Sequence, residues 1–370
     1  MSGPVINPGY LKKLDPAQQE WIIGGPGNMF LNNFVWLHGN HCFVIGITGA
    51  GGKTNKGYWL VNWLKHTETQ IWMDSGKSDE ILPLLCQDLP VRLIVPKYAD
   101  VFIEERINGK WQPIKNHPVI AHVPDAGDTW WAVKKKHINV LCYRNAFWTS
   151  SARADWMAYM FKCLADWSRL RMMPRIFPFT LHIDEVQWAI SGKRVTTDVD
   201  RTKASEMITE NVLEIRSSGG RIVAYAQCFL NLPPAMRDNL VCTILCCGAD
   251  IDSSESKKLS PHCNPPRWVK RPANFKRNEG KFITEDGRAS PTDRPWPFPL
   301  MPKSESDRKW LKRCRVRYVG FHDRPPPEAE VEEECLPELG RFSAMAIPPD
   351  EEEQGETITR WSADGVSADE

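Results

Sequence analysis

Long apolar runs are missing from this 370-residue chain. No stretch reaches the roughly 18 apolar residues of a bilayer-spanning helix, so no membrane segment is expected. The amino-terminal stretch MSGPVINPGYLKKLDP has no apolar core of signal-peptide length, so no secretory leader is expected either. Charge of one sign is also lacking. With 47 Lys and Arg against 46 Asp and Glu, the net charge of +1 gives no whole-chain argument for an anionic partner. Cys-x-x-Cys pairs are absent although there are 11 cysteines. Their odd number, their scatter and their place inside apolar segments suit free thiols in a reducing cytoplasm better than a disulfide framework. No internal repeat is visible.

The remaining composition is globular. Hydrophobic residues at 42% and charged residues at 25% sit near the averages that exclude wholesale disorder. The length suits one large domain with an appendage, and a chain of this size needs no disulfide or structural metal to fill a core. Sixteen tryptophans are many; core and surface filling accounts for them, with base stacking as the alternative.

Composition divides the chain into four. Residues 1–40 are a mixed lead-in with one helix expected about 17–23. Residues 41–255 alternate apolar β-rich runs with helical patterns, the mark of an α/β domain with a parallel sheet. Residues 256–327 are basic and Pro-rich, and between 257 and 324 cations outnumber acids more than two to one. Residues 328–370 are acidic, a composition that stays disordered and offsets the basic surplus before it. That cancellation suggests a tail competing with an anionic partner for basic surface; the rival reading is a docking peptide for a partner protein.

In the middle region strands are expected at 41–47, 70–74, 91–95, 138–142, 179–183, 221–226 and 241–247. Helices are expected at 53–65, 154–170 and 205–215. Asn108-Gly109 between apolar runs predicts a β-hairpin inserted near 101–114.

Three motifs carry chemistry. The first is GITGAGGKT at 46–54, after a strand and before a helix, which is the setting a P-loop requires. Its glycines let backbone N–H groups face phosphate oxygens, and the helix amino terminus adds a favourable dipole. Gly49, Ala50, Gly51, Gly52, Lys53 and Thr54 are the candidate nucleotide-binding residues, with Lys53 on the phosphates of ATP and Thr54 on Mg²⁺. In strict P-loop spacing the first glycine position is Ile47; Gly46 fits if one glycine is inserted before Lys53. The second motif is Leu181-His182-Ile183-Asp184-Glu185, an apolar strand ending in two acids. This is the Walker B pattern, with Asp184 toward Mg²⁺ and Glu185 as general base. An Asp-Glu after a strand is otherwise a common helix cap. The third is RSSGGRIVAYAQ at 216–227, whose strand ends in Gln227, placed to touch the γ-phosphate or the attacking water; capping a strand end is the bland alternative.

Together these stretches, with the short strand ending at Asp74, resemble the FtsK–HerA superfamily of DNA-pumping ATPases over residues 41–250. The resemblance implies a RecA-like P-loop core, ATP and Mg²⁺ as cofactors, double-stranded DNA as partner and a homo-oligomeric ring, a hexamer in that family. It implies Arg216 as the arginine finger given across the subunit interface, with Arg237 as rival. Either could instead be an ordinary surface salt-bridge residue. The short stretch before the P-loop and the missing membrane segment point to a stripped-down motor of the viral genome-packaging or mobile-element type, with a portal or capsid protein as further partner. A nucleotide-dependent switch or scaffold is the second reading and a metabolic kinase the third.

Weaker features are a zinc set of His262, Cys263, Cys314 and His322, whose spacing matches no standard site, and Cys246-Cys247, read as packing. The stretch 309–318 mixes cations with aromatics and suits either a nucleic-acid backbone or a solvated face.

Overall fold

Short runs of β-branched and apolar residues, each buried on both faces, set the architecture. β1 (Cys42–Ile45), β8 (Phe179–Ile183), β9 (Gly220–Ala226) and β10 (Cys242–Cys246) have every residue buried. That is the pattern of a parallel strand covered by helices on both sides. The computed structural model describes residues 38–47, 49, 52–77, 80–170, 176–190, 199–227, 242–249, 274–284, 296–297 and 300–324, with isolated positions Lys12, Pro16, Phe34, Val35, Met236 and Asn239. The expected lead-in helix and the acidic tail lie outside them.

The main sheet has ten strands in the order β12-β11-β10-β1-β9-β8-β2-β7-β3-β6. Its further members are β2 (Thr69–Met73), β3 (Val91–Pro96), β6 (Val119–Val123), β7 (Ile138–Leu141), β11 (Glu279–Thr284) and β12 (Trp296–Pro297). Every pairing from β10 across to β6 is parallel. β11 and β12 close one edge antiparallel. A second sheet of three antiparallel strands, in the order β13-β4-β5, consists of β4 (Asp100–Ile107), β5 (Lys110–Pro113) and β13 (Cys314–Val319). The helices are α1 (Lys53–Leu64), α2 (Thr129–Ala132), α3 (Ser150–Arg169), α4 (Val199–Ser217) and α5 (Glu305–Leu311).

Period-two alternation sorts the strand side chains between two layers. Cys42 and Val44 of β1 join Trp59, Leu60 and Trp63 of α1 in one buried cluster. Phe43 and Ile45 join the other, with Ile208, Val212 and Ile215 of α4. α3 packs along α4. Thr149 caps α3, its side chain accepting from the Ala152 N–H.

The sequence reading differs from the structure in extent and in omissions. α3 and α4 begin earlier than the apolar spacing shows, since their first turns are polar. β6, which the sequence reading did not pick out, is a short apolar strand, VIAHV, of which only Val123 is buried. The basic stretch 257–324, set apart from the ATPase core by composition, runs β11 into the main sheet and β13 against the hairpin.

Two polar systems lie inside. At the amino-terminal edge Arg221 and Glu68, both fully buried, pair at 2.7 Å, and His38 adds a contact at 2.8 Å. Thr180 also donates to Glu68. Beneath α1 the rings of Tyr58, Trp72, His182 and Tyr225 stack. His182 is tied there to the Tyr225 hydroxyl at 2.7 Å and to Gln70 at 3.1 Å. Burial pushes His182 down to about 3, so the ring is neutral.

Gly57 is where α1 crosses this stack. A Cβ there would stand 2.6 Å from Trp72 and 2.9 Å from the Tyr225 hydroxyl. Helix propensity alone would make Gly57→Ala stabilising by about 1 kcal/mol. Overpacking a rigid aromatic layer opposes this with about 1–3 kcal/mol. Gly57→Ala is therefore expected to lower the urea midpoint, and a raised midpoint would show that the stack yields.

Candidate functional site

The carboxyl ends of the parallel strands converge at one edge. β9 lies between β1 and β8, so the strand entering the P-loop and the strand ending in Asp184-Glu185 are separated by one neighbour. The turn after β1 stays in the sheet frame, with Gly46 N–H donating to Ala226 O at 3.3 Å and Ile47 N–H to Cys247 O at 3.2 Å. Gly49 and Gly52 take positive φ of 72° and 62°. At Gly52 a Cβ would fall 2.4 Å from Arg277 O, so the close approach of the β11 turn also requires glycine. Lys53, the first residue of α1, is buried and donates to Gly46 O at 3.0 Å and Ile47 O at 3.3 Å. Burial lowers its pKa, while Glu185 and Asp184 act against that shift. Ala50 and Gly51 lie outside the described residues.

Thr54 Oγ1 donates to Asp184 Oδ2 at 3.0 Å. Asp184 is fully buried; burial raises its pKa while Lys77 pulls it down. Glu185 sits at φ 46°, ψ 55°, a left-handed conformation that strains a non-glycine residue. Its N–H donates to Asp184 Oδ1 at 3.0 Å. Its carboxylate is gripped at both oxygens, by Lys77 Nζ at 2.8 Å and Gln187 Nε2 at 2.6 Å. Burial works to raise the Glu185 pKa, but the Lys77 hydrogen bond and charge leave it below the ordinary glutamate value. Gln227 follows β9 at the same edge, one residue past the Ala226 that pairs with Ile45.

Lys53, Thr54, Asp184, Glu185 and Gln227 thus gather at one edge, and Arg216 does not. It ends α4 just before Gly220, where β9 begins beside Phe179 at the amino-terminal edge. Seven residues of β9 separate the two edges, about 20 Å of strand. Arg237 lies outside the described residues, as do His262 and Cys263 of the zinc set. Cys314 donates to Trp310 O and His322 contacts Lys97 O, so each is engaged elsewhere. Among the described residues no metal-ligating cluster of His, Cys, Asp and Glu forms, and no helix is long and apolar enough to cross a membrane.

The sequence reading singled out the strand ending at Asp74 but missed the residues around it. Lys77 lies on the loop after β2 and approaches Asp184 at 3.6 Å as well as Glu185. Asp74, at the end of β2, accepts from Gly76 N–H at 3.0 Å and from the Tyr318 hydroxyl of β13. Burial pushes Asp74 up to about 7, with the Asp184 charge adding to the rise. Glu80, also buried, accepts from Trp72 Nε1 at 2.6 Å and Ser75 N–H at 3.0 Å, and burial holds its carboxyl well above the usual range. Arg144 lies over the Trp188 ring at 5.3 Å, near these acids. Nothing in the spacing of Lys77, Glu80 and Arg144 marks them; the strand order brings them to Asp74.

The strand order and the glycine-rich loop are those of a RecA-like P-loop α/β fold. Solved structures similar to this chain are P-loop ATPases of the FtsK–HerA superfamily. One is the genome packaging NTPase B204 from Sulfolobus turreted icosahedral virus 2 in complex with AMPPCP, with 12% identity, a TM-score of 0.40, and coverage of 68% of this chain and 97% of that one. VirB4 of Thermoanaerobacter pseudethanolicus has 11% identity and a TM-score of 0.45, covering 72% and 91%. EssC (ATPases 2 and 3) from Geobacillus thermodenitrificans has 13% identity and a TM-score of 0.43, covering 75% and 42%. No family model matches the chain, and no curated protein matches it.

The Lys77 grip gives a titration test. Glu185 is held below its ordinary pKa, so its carboxylate form persists to lower pH than in a free glutamate. In Lys77→Met the Glu185 carboxyl is expected to titrate at higher pH, read by carboxyl-carbon NMR. An unmoved or lowered titration would remove Lys77 as the cause.

Proposed function

We propose that this protein is an ATP-hydrolysing motor that moves or packages double-stranded DNA as a homo-oligomeric ring. The observation that carries the hydrolytic reading is the edge where β9 separates β1 from β8. It sets the Glu185 carboxylate and Gln227 beside a P-loop lysine and a Thr54–Asp184 pair. A hard-oxygen donor set of hydroxyl and carboxylate suits Mg²⁺, and Thr54 and Asp184 are the residues that would hold it. With nucleotide bound, that ion supplies neutralisation of phosphate charge.

The chain's own groups have separate roles in this reading. Backbone N–H groups about Gly49–Lys53 and the α1 amino terminus receive phosphate oxygens. Lys53 leaves its two backbone carbonyls and takes charge developing on the transferred phosphoryl group. Glu185 accepts a proton from the attacking water, for which it must be ionised; its lowered pKa keeps it so at neutral pH. Gln227 orients that water. Arg216 is remote from its own subunit's P-loop edge, which fits a cation given in trans. DNA, a hexameric ring, a portal or capsid partner and a cytoplasmic place of action extend the motif resemblance to this chain.

A nucleotide-dependent switch is the second reading. The Lys77–Glu185 ion pair favours it, because a clamped base hydrolyses slowly. The two separate on one measurement: a motor's ATPase rate rises with added double-stranded DNA, and a switch's does not.

Variants test the site itself. Lys53→Ala is expected to abolish hydrolysis. Glu185→Gln should bind ATP and turn it over slowly. Arg216→Ala should keep nucleotide affinity and lose about 10³-fold or more in kcat, as finger removals do. Full turnover by Glu185→Gln would remove it as the base, and full turnover by a monomer would remove the trans arginine.

A further inference from the structure

The small sheet shows two unlike faces. Inward, Val101, Ile103 and Val316 are buried and Tyr318 reaches Asp74. The alternate positions of the same strands carry Phe102, Glu104, Arg106, Trp111, Arg315 and Arg317, brought side by side by the register. Three arginines against Glu104 and, at the end of β4, Asp100, which His122 contacts at 2.8 Å, leave this face at a net +1.

Glu104 organises it. Its carboxylate is 8% exposed and takes Arg315 through one oxygen at 2.7 Å and Arg317 through the other at 3.0 Å. Burial works to raise the Glu104 pKa, but the two arginines lower it overall, so it stays charged. Each guanidinium also lies over a ring, Arg315 at 4.2 Å from Trp111 and Arg317 at 4.8 Å from Phe102. Both arginine side chains keep about two-fifths of their surface in solvent, at 40% and 44%. A guanidinium has five N–H donors, and the contacts to Glu104 leave others on each. The face is therefore a rigid array of cationic donors with little left to order on binding.

Those features select the partner. The ring faces of Trp111 and Phe102 that the arginines cover cannot stack a base, so the face is not built to read unpaired bases. Fixed cations with outward donors match the phosphate backbone of a duplex, without regard to sequence. We propose that the outward face of β4, β5 and β13 is a binding surface for the backbone of double-stranded DNA, with Arg106, Arg315 and Arg317 as its phosphate contacts. This rests on the DNA-motor reading and adds a contact surface outside the nucleotide site.

The test moves affinity in both directions, using the full-length chain and a fluorescein-labelled mixed-sequence duplex in anisotropy titrations across a salt series. Arg106→Ser leaves every Glu104 contact in place. It should weaken binding and reduce the slope of log K against log salt by about 0.9. Arg106→Ser with Arg317→Gln should lower that slope by about 1.8 and weaken binding about tenfold or more. Glu104→Gln removes the negative charge at the centre of the face and should tighten binding, an outcome a merely structural glutamate would not give. Unaltered basal ATPase in Arg106→Ser shows that the fold is intact. Duplex binding by the unmodified chain with affinity and slope unchanged in all variants overturns the surface but leaves the motor reading standing. No duplex binding by the unmodified chain overturns both.

Discussion

Thr54 donates to Asp184 across 130 positions of sequence, and strand order makes that bond possible. Parallel pairing fixes the carboxyl ends of these strands at one edge, and a single strand, β9, sets the spacing between the glycine-rich loop after β1 and the strand that ends in acid. The same intervening strand carries Gln227 to this edge, one residue past the Ala226 that pairs with Ile45. The remaining site features depend on this spacing: the turn after β1 is hydrogen-bonded to the ends of β9 and β10, and Glu185 follows Asp184 into the space so made.

The edge concentrates negative charge and handles it by burial and by cations from neighbouring loops. Asp74, Glu80 and Asp184 are all buried there, and burial favours their protonated forms. Glu185 is the exception, since Lys77 keeps it ionised. Two carboxylates adjacent in sequence thus acquire different proton affinities, Asp184 the higher and Glu185 the lower. The left-handed backbone at Glu185 is part of this arrangement. It turns the chain directly out of β8, so Glu185 is presented to the edge rather than continuing the strand.

Much of this was legible from sequence because the residues carrying it are consecutive. A P-loop, an acid pair and a strand ending in Gln each announce themselves locally, and the buried strands are continuous apolar runs. What could not be read was assembled from afar. Lys77 sits in an ordinary polar loop, and only the meeting of β2 with β8 gives it two carboxylates. Tyr318 is 244 positions from Asp74. β13 reads CRVRYV, a period-two strand whose outward arginines look like a charged patch when the inward Val316 and Tyr318 are not matched to β4. β11 was obscured by the basic, proline-rich composition around it, which describes the neighbourhood and not the six residues that pair.

β13 is then the point where two demands on the chain meet. Alternation forces successive residues to opposite faces, so Arg317 and Tyr318 cannot serve the same environment. Tyr318 goes inward to Asp74, whose carboxyl interacts with Asp184. Arg317 goes outward to Glu104 and Phe102. The covalent neighbours Arg317 and Tyr318 therefore join the arginine-bearing face of the small sheet to Asp74 at the edge of the main one, by a path one peptide unit long.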